Sequence, residues 1–159
     1  MNKLALSFAI VASLTTVAAA ENRAGTPAVG SPMATVTAEV QKTLGFVPDF
    51  VKQLPQALVA NWWHGVTTFQ MNPTTKLDGK TKELIGLAVA AAAPCEYCIY
   101  FHTEAARLNG ASEEEIKEAV GMAGLTRAGA TILNGLQVDK VQFKKDVQRI
   151  VSGARAAKK

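Results

Sequence analysis

Apolar residues recur every three or four positions from about residue 35 almost to the end of the chain, and no window alternates in the strand manner. That single feature restricts the fold to an all-α class, a compact bundle of about seven or eight helices. Val36, Val40 and Leu44 mark the first segment, which Gly45 stops. Pro48 and Pro55 bracket a short helix over residues 49–54, and Pro55 is suited to the opening of a longer one. The expected apolar stripe of that longer helix is Leu58, Trp62, Val66 and Phe69, followed by a turn over residues 71–75. Asp78 is placed to cap a helix reaching about Ala92, and Pro94 separates it from another over residues 95–108, closed by Asn109-Gly110. Ser112 and Glu115 form a capping box before Ile116, Ala119, Val120 and Ala123. Residues 126–136 read as helical, and Phe143, Val147, Ile150 and Val151 give a final amphipathic helix.

The chain of 159 residues suits one helical domain over residues 35–159. Ahead of it, residues 1–20 carry Lys3, an apolar stretch and Ala18-Ala19-Ala20, the pattern of a secretory signal peptide cleaved before Glu21. Residues 21–34 read as a flexible leader. A periplasmic or secreted location follows. No later segment can cross a bilayer, because the longest apolar run, residues 84–93, is about half the needed length. The net charge of +4 is mild and lacks a basic stripe with interleaved aromatics, so neither nucleic acid nor membrane is an expected partner once the signal is removed. The run Ala88, Ala90, Ala91, Ala92 and Ala93 lets another helix approach closely. With the Trp62-Trp63 pair it suggests a homo-oligomer. Trp62 is expected in the core and Trp63 toward a subunit or the redox pocket, while His64 reads as a structural or surface residue.

Chemistry concentrates between residues 94 and 102. The two cysteines, Cys95 and Cys98, lie three apart, so a bridge between them closes too small a loop to be a useful staple. On a helix Cys98 lies about 60° and His102 about 20° from Cys95, so all three share a face. His102 stands about 6 Å along the axis from Cys98 and about 10 Å from Cys95. Cys98 therefore has a base one turn away, while Cys95 lies in the first turn, where free amides and the helix dipole favour a thiolate. Glu83 lies on a stripe with Leu87, Ala90 and Ala91, and a carboxylate there needs a partner. A hairpin would bring it to the facing helix, to accept a hydrogen bond from His102 or to hold a proton-relay water. Two blander readings stand beside this: a zinc site made by Cys95, Cys98, His102 and Glu83, and an inert surface disulfide.

Glu83, eleven intervening residues, then Cys95-x-x-Cys98-x-x-x-His102 resembles the AhpD-like alkylhydroperoxidase group of the carboxymuconolactone decarboxylase family. The similarity spans about residues 35–125. It takes in Gly45-Phe46-Val47-Pro48, residues 77–87, and the Gly110-Ala111-Ser112 turn with its acidic run. The resemblance implies an all-helical fold, a trimer or hexamer, no cofactor, and a dithiol that reduces hydroperoxides. It also implies that Cys98 attacks the peroxide, that Cys95 resolves the sulfenic acid as a disulfide, and that Glu83 and His102 relay protons. A separate thiol, protein or small molecule, would restore the dithiol. The sequence departs from the group in two respects: Tyr97 stands where the best-studied pattern has a histidine between the cysteines, and the export signal contrasts with cytoplasmic reducing partners. Members acting on carboxymuconolactone generally lack the dithiol, so decarboxylation is not expected. The competing functions are thiol–disulfide exchange with partner proteins and a non-catalytic metal-binding helical module.

Overall fold

The computed structural model describes residues 30–158, so the signal-peptide reading and the leader up to residue 29 lie outside the described residues. Seven α-helices and one π-helical turn make up the regular structure, with no strand among the described residues. The fold is therefore all-α. The chain divides into two compact units between Gln56 and Ala57.

In the first unit, α1 spans Pro32–Leu44. It begins three residues before the apolar pattern does, because Ser31 accepts the amide of Ala34 at 3.1 Å and Pro32 fits the first helical position. Gly45 ends it in the left-handed region at φ 82°. α2 is a single turn, Asp49–Lys52, and buries Val51. It stops short of residue 54, in keeping with the bias against helical backbone before Pro55.

All but the first residue of α3, Gln56–Gly65, belongs to the second unit, and the helix runs into a π-turn at Val66–Gln70 closed by the amide of Met71 on the Val66 carbonyl. The buried face of α3 is Val59 and Trp63, not the expected stripe: Leu58 and Phe69 are exposed and Trp62 is only half-buried. Leu58/Trp62 and Val59/Trp63 are neighbouring apolar pairs at the same spacing of four, so periodicity alone cannot choose between them. The π-turn then breaks the register that Val66 and Phe69 would have continued.

α4 (Gly79–Ala92) is capped by Asp78, whose carboxylate accepts the Thr81 amide at 2.7 Å. α5 (Glu96–Leu108) and α6 (Glu113–Gly135) both pack on it. Leu87 of α4, Ala106 of α5 and Ile116 of α6 meet in one buried cluster, with Leu84, Ile99 and Ala111 against it. α6 starts at the expected capping box, Ser112 with Glu115, and runs unbroken through residues 126–135. Lys80 of α4 reaches Glu115 at 2.7 Å and ties the two helix starts together. α7 (Lys140–Ala156) buries no residue, and Phe143, Val147, Ile150 and Val151 are all exposed in the chain. No helix among the described residues is long and apolar enough to cross a membrane.

Candidate functional site

α4 and α5 are joined by a tight corner at Ala93-Pro94, where the Cys95 amide donates to the Ala90 carbonyl at 3.1 Å. Cys95 is the N-cap of α5 rather than its first helical residue, and its Sγ accepts the Cys98 amide at 3.3 Å. One of the free amides of this helix start thus points at sulfur. Cys95 and Cys98 form a disulfide with their Cα atoms 5.3 Å apart. Both residues are half-buried, whereas Tyr97 between them is 90% exposed.

The corner folds α5 back on α4 and brings Glu83 to His102, nineteen residues apart in sequence. His102 Nδ1 and Glu83 Oε2 are 2.7 Å apart. Glu83 is only 5% exposed and His102 half-buried. A carboxylate accepts, so Nδ1 carries the hydrogen and the lone pair of the neutral ring lies on Nε2. The edge of the imidazole meets the Phe101 ring, centroids 5.2 Å apart. Its flat side lies on Gly86 of α4, where an added Cβ would come within 2.5 Å of Nδ1 and Cε1. Only a glycine lets the two helices bring the ring this close.

Two further side chains complete the buried cluster. Gln70, at the end of the π-turn, donates from Nε2 to Glu83 Oε1 at 3.1 Å. Lys82, buried beside Glu83, donates to the carbonyls of Phe69 (2.8 Å), Gln70 (3.4 Å) and Asn72 (2.7 Å) and lies over the Phe69 ring. A desolvated ammonium needs such acceptors. At the α6 start, the Lys80 ammonium and the Ser112 amide hold the Glu115 carboxyl below its usual range, and Glu115 raises Lys80 in return.

The structure thus brings all four residues singled out in the sequence onto one hairpin: Cys95, Cys98 and His102 on α5, and Glu83 facing them from α4. His102's hydrogen-bond partner is Glu83, and Cys98 is engaged by Cys95. His64 is exposed. Among the described residues no group of three or more His, Cys, Asp or Glu side chains is poised to hold a metal ion. A shallow cleft of about 330 Å³ between the α4 alanines and α6 includes Pro94, Ala123 and Arg127 in its wall, one residue from Cys95. Sequence reasoning missed Gly86, Gln70 and Lys82. Gly86 had a signal, since a glycine inside a helix costs about 1 kcal/mol relative to alanine and so calls for a packing reason. Gln70 had none, because a polar residue before a turn is ordinary.

The fold and hairpin define a class: an all-helical protein with a Cys-x-x-Cys disulfide at a helix start and a buried carboxylate–imidazole pair on the same hairpin. Residues 55–140 match the carboxymuconolactone decarboxylase family, and the chain belongs to it, in its AhpD-like branch. A solved structure described as the alkylhydroperoxidase AhpD core of Rhodospirillum rubrum superposes with a TM-score of 0.61 at 29% identity, over 68% of this chain and 82% of that one. An "Uncharacterized protein 4 in cox locus" of Paracoccus denitrificans is 48% identical over 54 residues, 34% of this chain and 49% of the relative. A Haemophilus influenzae protein is 41% identical over 70 residues, 44% of this chain and 57% of its own length. The chain thus spans about half the length of these curated relatives.

Proposed function

We propose that the protein is a thiol peroxidase that reduces hydroperoxides through a Cys95–Cys98 dithiol/disulfide cycle. The Glu83–His102 pair at 2.7 Å, held on the same hairpin as the disulfide, carries this reading. The likeness to the alkylhydroperoxidase AhpD core supports it.

In the reduced protein His102 Nε2 takes the proton of the Cys98 thiol, and Glu83 on Nδ1 stabilises the imidazolium. The thiolate attacks one oxygen of the hydroperoxide. The S–O bond forms as the O–O bond breaks, sulfur is oxidised to a sulfenic acid, and the departing alkoxide takes the proton from His102 to leave as an alcohol. Cys95 sulfur then displaces hydroxide from the sulfenic sulfur. Its own proton leaves with that hydroxide as water, and the disulfide remains. An external dithiol or pair of thiols supplies the two electrons that reset the cycle. The helix start favours an anionic Cys95 sulfur during this second step.

Export by the N-terminal signal and assembly as a trimer or hexamer belong to the same proposal. The exposed apolar residues of α6 and α7, such as Leu125, Ile132, Leu133 and Ile150, favour assembly. Stopped-flow mixing of the reduced protein with several hydroperoxides tests the activity: stoichiometric formation of alcohol and disulfide is expected, and a dithiol that survives every hydroperoxide would refute it.

One observation favours a second reading, thiol–disulfide exchange with partner proteins: Cys95 Sγ is the atom that accepts an α5 amide. In that case Cys95 attacks partner disulfides, and mixed disulfides through Cys95 would accumulate in Cys98→Ser.

A further inference from the structure

A buried carboxylate on a single hydrogen bond is poorly placed for a relay, because the terminal torsion of glutamate is broad and roughly two-fold. Glu83 has a second tether. Its Oε1 accepts from Gln70 Nε2 at 3.1 Å, while Oε2 faces His102 at 2.7 Å. Gln70 is itself tied down. It ends a π-turn, and helix ends leave carbonyls unsatisfied. Lys82 gathers the carbonyls of Phe69, Gln70 and Asn72, and Lys82 is the residue next to Glu83 on α4. One turn of α4 therefore grips the π-turn through Lys82 and receives the Gln70 amide through Glu83.

We propose that Gln70 is a positioning residue of the relay, fixing the Glu83 carboxylate so that Oε2 alone faces His102. An amide nitrogen donates and cannot accept. Oε1 is thereby committed to Gln70, which leaves Oε2 to accept from Nδ1. This keeps Nδ1 of His102 hydrogen-bonded and Nε2 directed to proton exchange with the thiol. The catalytic consequence rests on the peroxidase reading above, but the positioning of His102 does not.

The test uses the reduced full chain carrying ¹⁵N-histidine, in which His102 and exposed His64 are the two histidines. Gln70→Met keeps length and removes the donor. Gln70→Leu keeps bulk and likewise removes the donor. In the parent, His102 nitrogen shifts should report hydrogen on Nδ1. Both variants should mix in the Nε2–H tautomer and leave His64 unchanged. Both should slow oxidation by tert-butyl hydroperoxide about tenfold, the loss expected for one hydrogen bond to a charged group.

Parent-like His102 shifts in both variants overturn the proposal. So does a change in Gln70→Met alone, since shape rather than donation would then matter. If Gln70→Met fails to fold, Gln70→Leu decides by itself. A parent inert to the hydroperoxide refutes the peroxidase reading, while the nitrogen shifts still decide the role of Gln70.

Discussion

Both the α4–α5 hairpin and the C-terminal helix α7 are amphipathic in sequence, yet they end differently. The hairpin buries Leu87, Ala90 and Ala106, and with them Glu83 and Lys82. α7 carries an equally clear stripe and buries nothing. An apolar stripe shows that a helix has a face, not what will cover it. The hairpin is covered from within the chain because the short Ala93-Pro94 corner and the small Gly86 and Ala90 side chains let α5 close on α4. The C-terminal stripe is left to whatever else the chain meets. The proposed chemistry thus sits where one chain completes its own packing, and this contrast can be attacked experimentally.

The largest effect is expected inside the hairpin. Glu83→Gln and His102→Ala should each slow oxidation of the dithiol by about 10²–10⁴-fold, the usual contribution of a positioned acid–base group, as read by stopped-flow kinetics. Next comes stability. Leu87 is 1% exposed, and Leu87→Ala should cost about 2–5 kcal/mol in urea unfolding of the dissociated chain. Ile150 is 69% exposed, and Ile150→Ala should stay within about 0.5 kcal/mol under the same conditions. If the proposed homo-oligomer covers α7, the gap between the two variants will narrow as protein concentration rises.

The smallest effect is electrostatic. The Lys80 ammonium and the Ser112 amide hold the Glu115 carboxyl low in the folded state. A depressed carboxyl stabilises the fold fully above the ordinary glutamate pKa, and that contribution fades as the pH falls through the folded value. Both side chains remain more than a third exposed, so solvent screening keeps the effect modest. Glu115→Gln should lower the urea midpoint slightly at about pH 7, and that difference should shrink as the pH is taken down through the depressed carboxyl range. An unchanged difference at both pH values would mean that the capping box, not the charge, matters at Glu115.

The hairpin was more legible in the sequence than the rest of the second unit, and the reasons are physical. Asp78, Pro94, Asn109-Gly110 and Ser112 with Glu115 are caps and breakers whose effects are local, so the boundaries of α4 and α5 were readable to within a residue. Cys98 and His102 share one helix, where spacing alone sets their geometry, whereas Cys95 caps that helix in extended backbone one residue before it. Glu83 was readable because a carboxylate on an apolar stripe needs a partner. α3 was misjudged because Leu58, Val59, Trp62 and Trp63 offer two equivalent faces, and the π-turn that follows has no sequence mark of its own. Gln70 and Lys82 were hidden for the same reason: their roles depend on where that turn points, which tertiary packing decides.

In the proposed cycle Cys98, served by the Glu83–His102 pair, is the sulfur that meets the peroxide. Trapping with a dimedone-type probe after one equivalent of hydroperoxide tests it directly in Cys95→Ser and Cys98→Ser. A labelled sulfenic acid is expected on Cys98 in Cys95→Ser, and no reaction in Cys98→Ser. Labelling of Cys95 in Cys98→Ser, with Cys95→Ser inert, would contradict it and make the sulfur at the start of α5 the nucleophile.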